Sequence, residues 1–116
     1  MDFIMVTSAI DEKKVIVPNN VVDSVEEAED GSIINYTDIS SSLGVTESIR
    51  DVFRMLGGYS HDGDLVKVTE LSGKSRLIKY YDVEGVTDNG GFRVIKMGED
   101  EEISVIETVD ELQEIL

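Results

Sequence analysis

The sequence predicts an α+β fold: antiparallel β-meander sheets around one central helix, closed by a short C-terminal helix. Three observations predict it. Runs rich in Val and Ile alternate with clusters of turn-forming residues along most of the chain. Ile49, Val52, Phe53 and Leu56 stand at i, i+3, i+4 and i+7, the spacing of one helical stripe. Thr108-Val109-Asp110-Glu111 spells a capping box, in which the Thr and Glu side chains satisfy each other's backbone amides. With 116 residues, the chain fits one domain spanning 1–116, with no room for two independent cores. Its 41% hydrophobic content supports folding despite 30% charged residues.

The elements follow in order. Phe3 to Val6 and Lys14 to Val17 read as a hairpin turning at Asp11-Glu12-Lys13. Pro18-Asn19-Asn20 breaks the pattern, Val22 to Glu26 resumes it, and Gly31 separates that strand from another at 32–37. Ser40 to Gly44 reads as a loop. The central helix is expected over about 46–56, with Gly57-Gly58 ending it and Arg50 and Arg54 favouring its C-terminal half. Strands then fall at 65–71, 76–81 and 92–97, with turns at Ser72-Gly73-Lys74 and at 88–91. A strand at 103–106 leads into the final helix, about 108–116, with Val109, Leu112 and Leu116 on one face. No repeat of roughly 20 to 50 residues is visible.

Composition narrows the chemistry. Zero cysteines exclude disulfides and thiol catalysis, and the lone His61 excludes a zinc site built of histidines. No run approaches the ~18 apolar residues of a membrane span, so a cytoplasmic protein is expected. Twenty-five acidic against ten basic residues give a net charge of −15. Such a surface repels nucleic acid and anionic lipid and attracts basic surfaces, so direct nucleic-acid binding and membrane binding are not expected.

Four clusters are candidates for function. Ser60-His61-Asp62-Gly63-Asp64 joins an imidazole to two carboxylates, but the alternation a calcium loop needs stops after Asp64, so a solvated turn is the better reading. Gly73-Lys74-Ser75 matches the end of a phosphate loop, yet Val68 stands where that loop needs its first glycine, leaving a hairpin turn. Lys74, Arg76, Lys79, Arg93 and Lys96, with Tyr80, Tyr81 and Phe92 among them, could hold an anion by charged hydrogen bonds and stacking. Alternating strand faces give the same letters. Asp23, Glu26, Glu27, Glu29 and Asp30 form one acidic cluster; Glu99, Asp100, Glu101, Glu102, Glu107, Asp110, Glu111 and Glu114 form another. A basic partner would relieve their mutual repulsion.

The function these residues suggest is a non-catalytic acidic protein-binding module or inhibitor. It would occupy a basic, nucleic-acid-binding surface of a partner protein, as a DNA mimic of the kind phage and mobile elements use against host defence. The alternative is a homo-oligomer sequestering an anionic small molecule such as a nucleotide. No catalytic residue, cofactor or metal is assigned.

Residues 3–37, with Asn19-Asn20 at a corner and Val22 to Glu26 as a central strand, and residues 104–116, ending Val105-Ile106-Glu107-Thr108-Val109-Asp110-Glu111, resemble the small flagellar FlbD/SwrD-type proteins. The resemblance implies a strand-strand-helix frame into which 38–103 is inserted, and offers no catalytic residues.

Overall fold

A computed structural model describes residues 3–37, 40–57, 65–98 and 101–116. The fold is α+β. The first half runs β1 (Phe3–Thr7), β2 (Lys14–Pro18), β3 (Val22–Ala28), β4 (Gly31–Tyr36), β5 (Ser42–Val45) and α1 (Ile49–Met55). The second half runs β6 (Leu65–Thr69), β7 (Ser75–Lys79), β8 (Val83–Asp88), β9 (Arg93–Met97), β10 (Glu102–Val105) and α2 (Val109–Ile115). A 3₁₀ turn follows the second strand of each half, at Asn19–Val21 and at Tyr80–Asp82.

The two halves are therefore one unit built twice, the second copy about sixty residues after the first. The correspondence reaches individual atoms. Thr7 N donates to Glu47 Oε1 at 2.8 Å, and Thr69 N donates to Glu107 Oε1 at 2.9 Å. Ser48 caps α1 by accepting from Asp51 N, and Thr108 caps α2 by accepting from Glu111 N. The Ser32 hydroxyl donates to Glu47 O at 2.9 Å, while Arg93 Nε donates to Glu107 O at 2.7 Å from the matching place on β9. Residues 38–103 thus do not interrupt a frame shared by the two ends: β5 and α1 complete the first copy, and the second follows.

Within each half all neighbouring strands are antiparallel, and the first hairpin closes onto the last strand through a single bridge, Ser8 with Val45 and Glu70 with Val105. The halves join where β3 pairs with β7, Val25 opposite Leu77 and Glu26 opposite Arg76. Strands thus follow one another as β2-β1-β5-β4-β3-β7-β6-β10-β9-β8, with β2 and β8 at the two ends.

Two apolar clusters form the interior instead of one. The first gathers Ile4, Val6, Val17, Val22, Val25, Ile34, Val45, Ile49, Val52, Phe53 and Leu56, together with Leu65 and Leu77 from the second half. The second gathers Val66, Val68, Ile78, Ile95, Met97, Ile103, Val105 and Leu112. Alternation along β6 and β7 explains the split, because successive side chains point to opposite faces: Leu65 and Leu77 cross into the first core while Val66, Val68 and Ile78 serve the second.

Several boundaries differ from expectation for local reasons. The central helix begins at Ile49, because Ser48 takes the cap with an extended backbone (φ −68, ψ 158) and Thr46 and Glu47 are spent on the β1 strand. Gly57 at φ 102 ends it. Ser42 to Gly44, expected within the Ser40 to Gly44 loop, belong to strand β5, since pairing along β4 outweighs the weak strand preference of Ser and Gly. Tyr80 and Tyr81 leave the strand for the 3₁₀ turn, and β8, rich in acidic residues and glycine, was not expected. The Ser60-His61-Asp62-Gly63-Asp64 cluster lies outside the described residues.

Candidate functional site

The join between the halves makes a cleft of about 400 Å³. It is lined by Asp23, Ser24 and Thr37 of the first half and by Arg76, Lys79, Asp82 and Glu101 of the second, over an apolar floor including Ile78 and Met97. Arg76 reaches Glu26 with Nη2 at 3.0 Å, while its buried Nε has no protein partner among the described residues. Lys79 donates to the Thr37 hydroxyl at 3.3 Å and sits 5.7 Å from the Tyr81 ring, which meets Tyr80 edge-on at 5.5 Å. Arg76, Lys79, Tyr80 and Tyr81 of the basic-aromatic set therefore gather near the join.

The rest of that set goes elsewhere. Arg93 is 9% exposed and makes four hydrogen bonds, to the carbonyls of Gly90, Ile106 and Glu107 and to Asp88, so it is a structural strut. Lys74 is exposed on the β6–β7 turn, Phe92 is half-buried before β9, and Lys96 is exposed on β9. Gly73, at φ 92, shapes the β6–β7 turn, which leads into a strand and not a helix.

A second, shallower groove of about 520 Å³ runs beside α1, and its lining includes Glu27, Glu29 and Asp30 together with Arg50, Lys67 and Ser75. Arg54, four residues after Arg50, continues that helix face, with a loose 3.9 Å approach to Asp51. This gathering of cations from α1 and β6 was not foreseen. No spacing in the sequence pairs residue 50 with residue 67; only the β3–β7 junction does.

The acidic residues do not form one face. Asp23 and Glu101 line the cleft, Glu29 and Asp30 the groove, and Asp110, Glu111 and Glu114 lie on α2, in a molecule 44 Å long. Several are committed internally. Glu26 accepts from Asn35 and Arg76, Glu27 from Ser75 N, Glu107 from Thr69 N, and Glu111 from Thr108 N within the capping box. Glu102 is exposed on β10, and Glu99 and Asp100 lie outside the described residues. Among the described residues no group of three or more His, Asp or Glu could hold a metal ion.

Three carboxyls sit below their ordinary value of 4.5. The Asn35 amide, against a desolvation penalty, and then Arg76 hold Glu26 down. At Glu47 burial pushes up, and the Thr7 amide and hydroxyl more than offset it. Glu111 is lowered by the Thr108 amide and hydroxyl. A lowered native value means the unfolded chain binds protons first. The stability these groups contribute is present above 4.5 and is lost as pH falls through their native values. Thermal unfolding followed from pH 7 to pH 3 is expected to show a falling midpoint below about 4.5; Glu47→Gln should lower the midpoint at pH 7 and shrink that fall. An equally steep fall in the variant would remove Glu47 from the account.

Neither a protein-family model nor a curated protein matches the sequence. Among solved structures, the chain is similar to the LytTr DNA-binding domain of a methyl-accepting/DNA response regulator from Bacillus cereus, with a TM-score of 0.58 and 12% identity over 91% of this chain and 87% of that one. The likeness is one of fold. It overturns the exclusion of direct nucleic-acid contact, because this architecture serves a DNA-binding domain elsewhere. The acidic inhibitor of a partner's basic surface, with its DNA-mimic and anti-defence setting, falls with it, and so does the nucleotide-sequestering alternative. The physical reasons are those just given: the carboxylates are dispersed and partly used up, and Arg93 is a strut.

Proposed function

We propose that this chain is a non-catalytic DNA-binding domain working in the cytoplasm, and that it meets the duplex along the α1 groove through Arg50, Arg54 and Lys67. The observation that carries the reading is the likeness of fold to a DNA-binding domain over 91% of the chain. No described helix is long and apolar enough to cross a membrane, which agrees with that setting. Val45-Thr46-Glu47-Ser48 and Val105-Ile106-Glu107-Thr108, one in each half, carry the same Val-x-Glu-Ser/Thr pattern.

The net charge of −15 sets the terms of binding. Long-range repulsion suppresses attachment to arbitrary DNA, so affinity depends on a few local cations and on base contacts. Three phosphate contacts correspond to a slope of log K against log salt of about −2.7. The test is selection of duplexes from a random pool, followed by fluorescence anisotropy at several salt concentrations. The expected result is an enriched sequence with that shallow slope, which the double variant Arg50→Ala/Lys67→Ala weakens and flattens by about 1.8. No enriched sequence, or binding indifferent to that variant, would end the reading.

A further inference from the structure

The surfaces that meet between the two halves have counterparts by repeat at each end of the strand order, and among the described residues these counterparts are left open. In the second half, Leu65 and Leu77 are 5% and 0% exposed, buried in the first core. Their counterparts by register in the first half, Phe3 and Ile16, are 54% and 62% exposed. Met5, opposite Ile16 and on the same face, is 55% exposed. The receiving side shows the same inversion. Ile49 of α1 and Leu56 at its C-cap, at 5% and 8%, correspond to Val109 of α2 and Leu116 at its C-cap, at 45% and 39%. Val22 and Val25 are fully buried, whereas their counterparts Val83 and Val86 are only half-buried.

The backbone tells the same story. β7 and β3 pair at the join; their counterparts β2 and β8 are the strands at the two ends of the order, each with an outer edge unpaired among the described residues. An open strand edge beside exposed apolar side chains is a template for another strand.

We propose that copies of this chain associate head to tail, β2 of one copy pairing antiparallel with β8 of the next and Phe3, Met5 and Ile16 packing against Val83, Val86, Val109 and Leu116. Transferring the β3–β7 register sets Ile16 opposite Val86, Val15 opposite Thr87 and Lys14 opposite Asp88. The two apolar faces meet and a lysine faces an aspartate. Pro18, which cannot donate, corresponds to Lys79, outside the two residue pairs that join β3 to β7. Because the surfaces differ, the contact is heterologous and does not close at two copies. Each copy carries −15, so salt screens the repulsion and strengthens the association.

Sedimentation velocity of the chain without DNA tests this, over rising protein concentration in low and high salt. The expected result is a sedimentation coefficient that climbs with concentration, more steeply in high salt, without a plateau at the dimer. The head variant Phe3→Thr/Ile16→Thr and the tail variant Val109→Thr/Leu116→Gln, all at exposed positions, are each expected to stay monomeric. Mixed in equal amounts they should form a heterodimer and stop there, since each supplies the one end the other lacks. A wild-type chain that stays monomeric in high salt, a head variant that still dimerises with itself, or a mixture that forms no heterodimer would each overturn the proposal. DNA binding is read separately, so failure here leaves that reading standing.

Discussion

Replacing Arg93 with alanine is expected to destabilise the protein by about 3 kcal/mol, because the side chain satisfies several backbone acceptors at once and nothing else described reaches them. Its Nε and Nη2 bond Glu107 O and Ile106 O at 2.7 and 2.8 Å, and Nη1 bonds Gly90 O at 3.1 Å. The first two carbonyls sit where β10 turns into α2 and Gly90 sits in the β8–β9 turn, so the guanidinium ties that corner to the turn. The ion pair with Asp88, 3.4 Å away, contributes little by comparison, since that carboxylate is 56% exposed and screened by water. Asp88→Asn is accordingly expected to cost under about 1 kcal/mol. Lysine at position 93 should fall near alanine, because an ammonium cannot present the planar fork that spans several acceptors. Urea unfolding of the three variants checks the ranking. If Asp88→Asn costs as much as Arg93→Ala, the carbonyl bonds are not what matters.

How far the sequence foretold this architecture depends on whether the signal was local. Hairpins were legible at β1–β2 and β6–β7, where alternating Val, Ile and Leu flank short polar turns. The capping box at Thr108 was legible, because its two partners are three residues apart. The duplication was present in the letters but spread thin. Val45-Thr46-Glu47-Ser48 and Val105-Ile106-Glu107-Thr108 share a pattern, with each glutamate reaching back about forty residues to the first strand of its half. Matching only the second occurrence to residues 3–37 made the middle of the chain look like an insertion. The corresponding serine and arginine at positions 32 and 93 share no chemistry beyond donating a hydrogen bond, so alignment by residue type passes over them.

The candidate sites were harder for the same reason. Residues 74 to 96 are basic and aromatic in a row, but the chain turns several times within them, and the row divides between the cleft, a turn, an exposed strand face and a buried strut. The acidic clusters were likewise expected to act as one surface, and they separate because β3 belongs to the first copy of the unit and β10 and α2 to the second. The groove beside α1 and the unmatched ends of the strand order arise only from the β3–β7 junction, which no short-range pattern encodes.

Packing between neighbouring strands also decides which glycines can be changed. Gly31 opens β4 at φ +152, and a Cβ built there would overlap the carbonyl oxygen of Val45 on the neighbouring strand. The obstacle is backbone, so no side chain can swing aside. Moving Val45 would disturb both its pairing with Ser32 and its bridge to Ser8, which closes the first half. Gly31→Ala is therefore expected to cost about 3 kcal/mol or more, a loss of roughly 12 to 20 °C in unfolding midpoint for a chain of this size. Gly85 on β8 provides the contrast. It stands at a register shift in that strand, with no positive φ and nothing within 4 Å of an added Cβ. Gly85→Ala should be neutral or raise stability by up to about 1 kcal/mol, through the unfolded chain's reduced freedom. Calorimetry on the pair separates steric overlap from the general effect of adding a methyl group. Equal midpoints for the two variants would mean that β5 can move away from Gly31, and the first half would then be closed less firmly than its bridges imply.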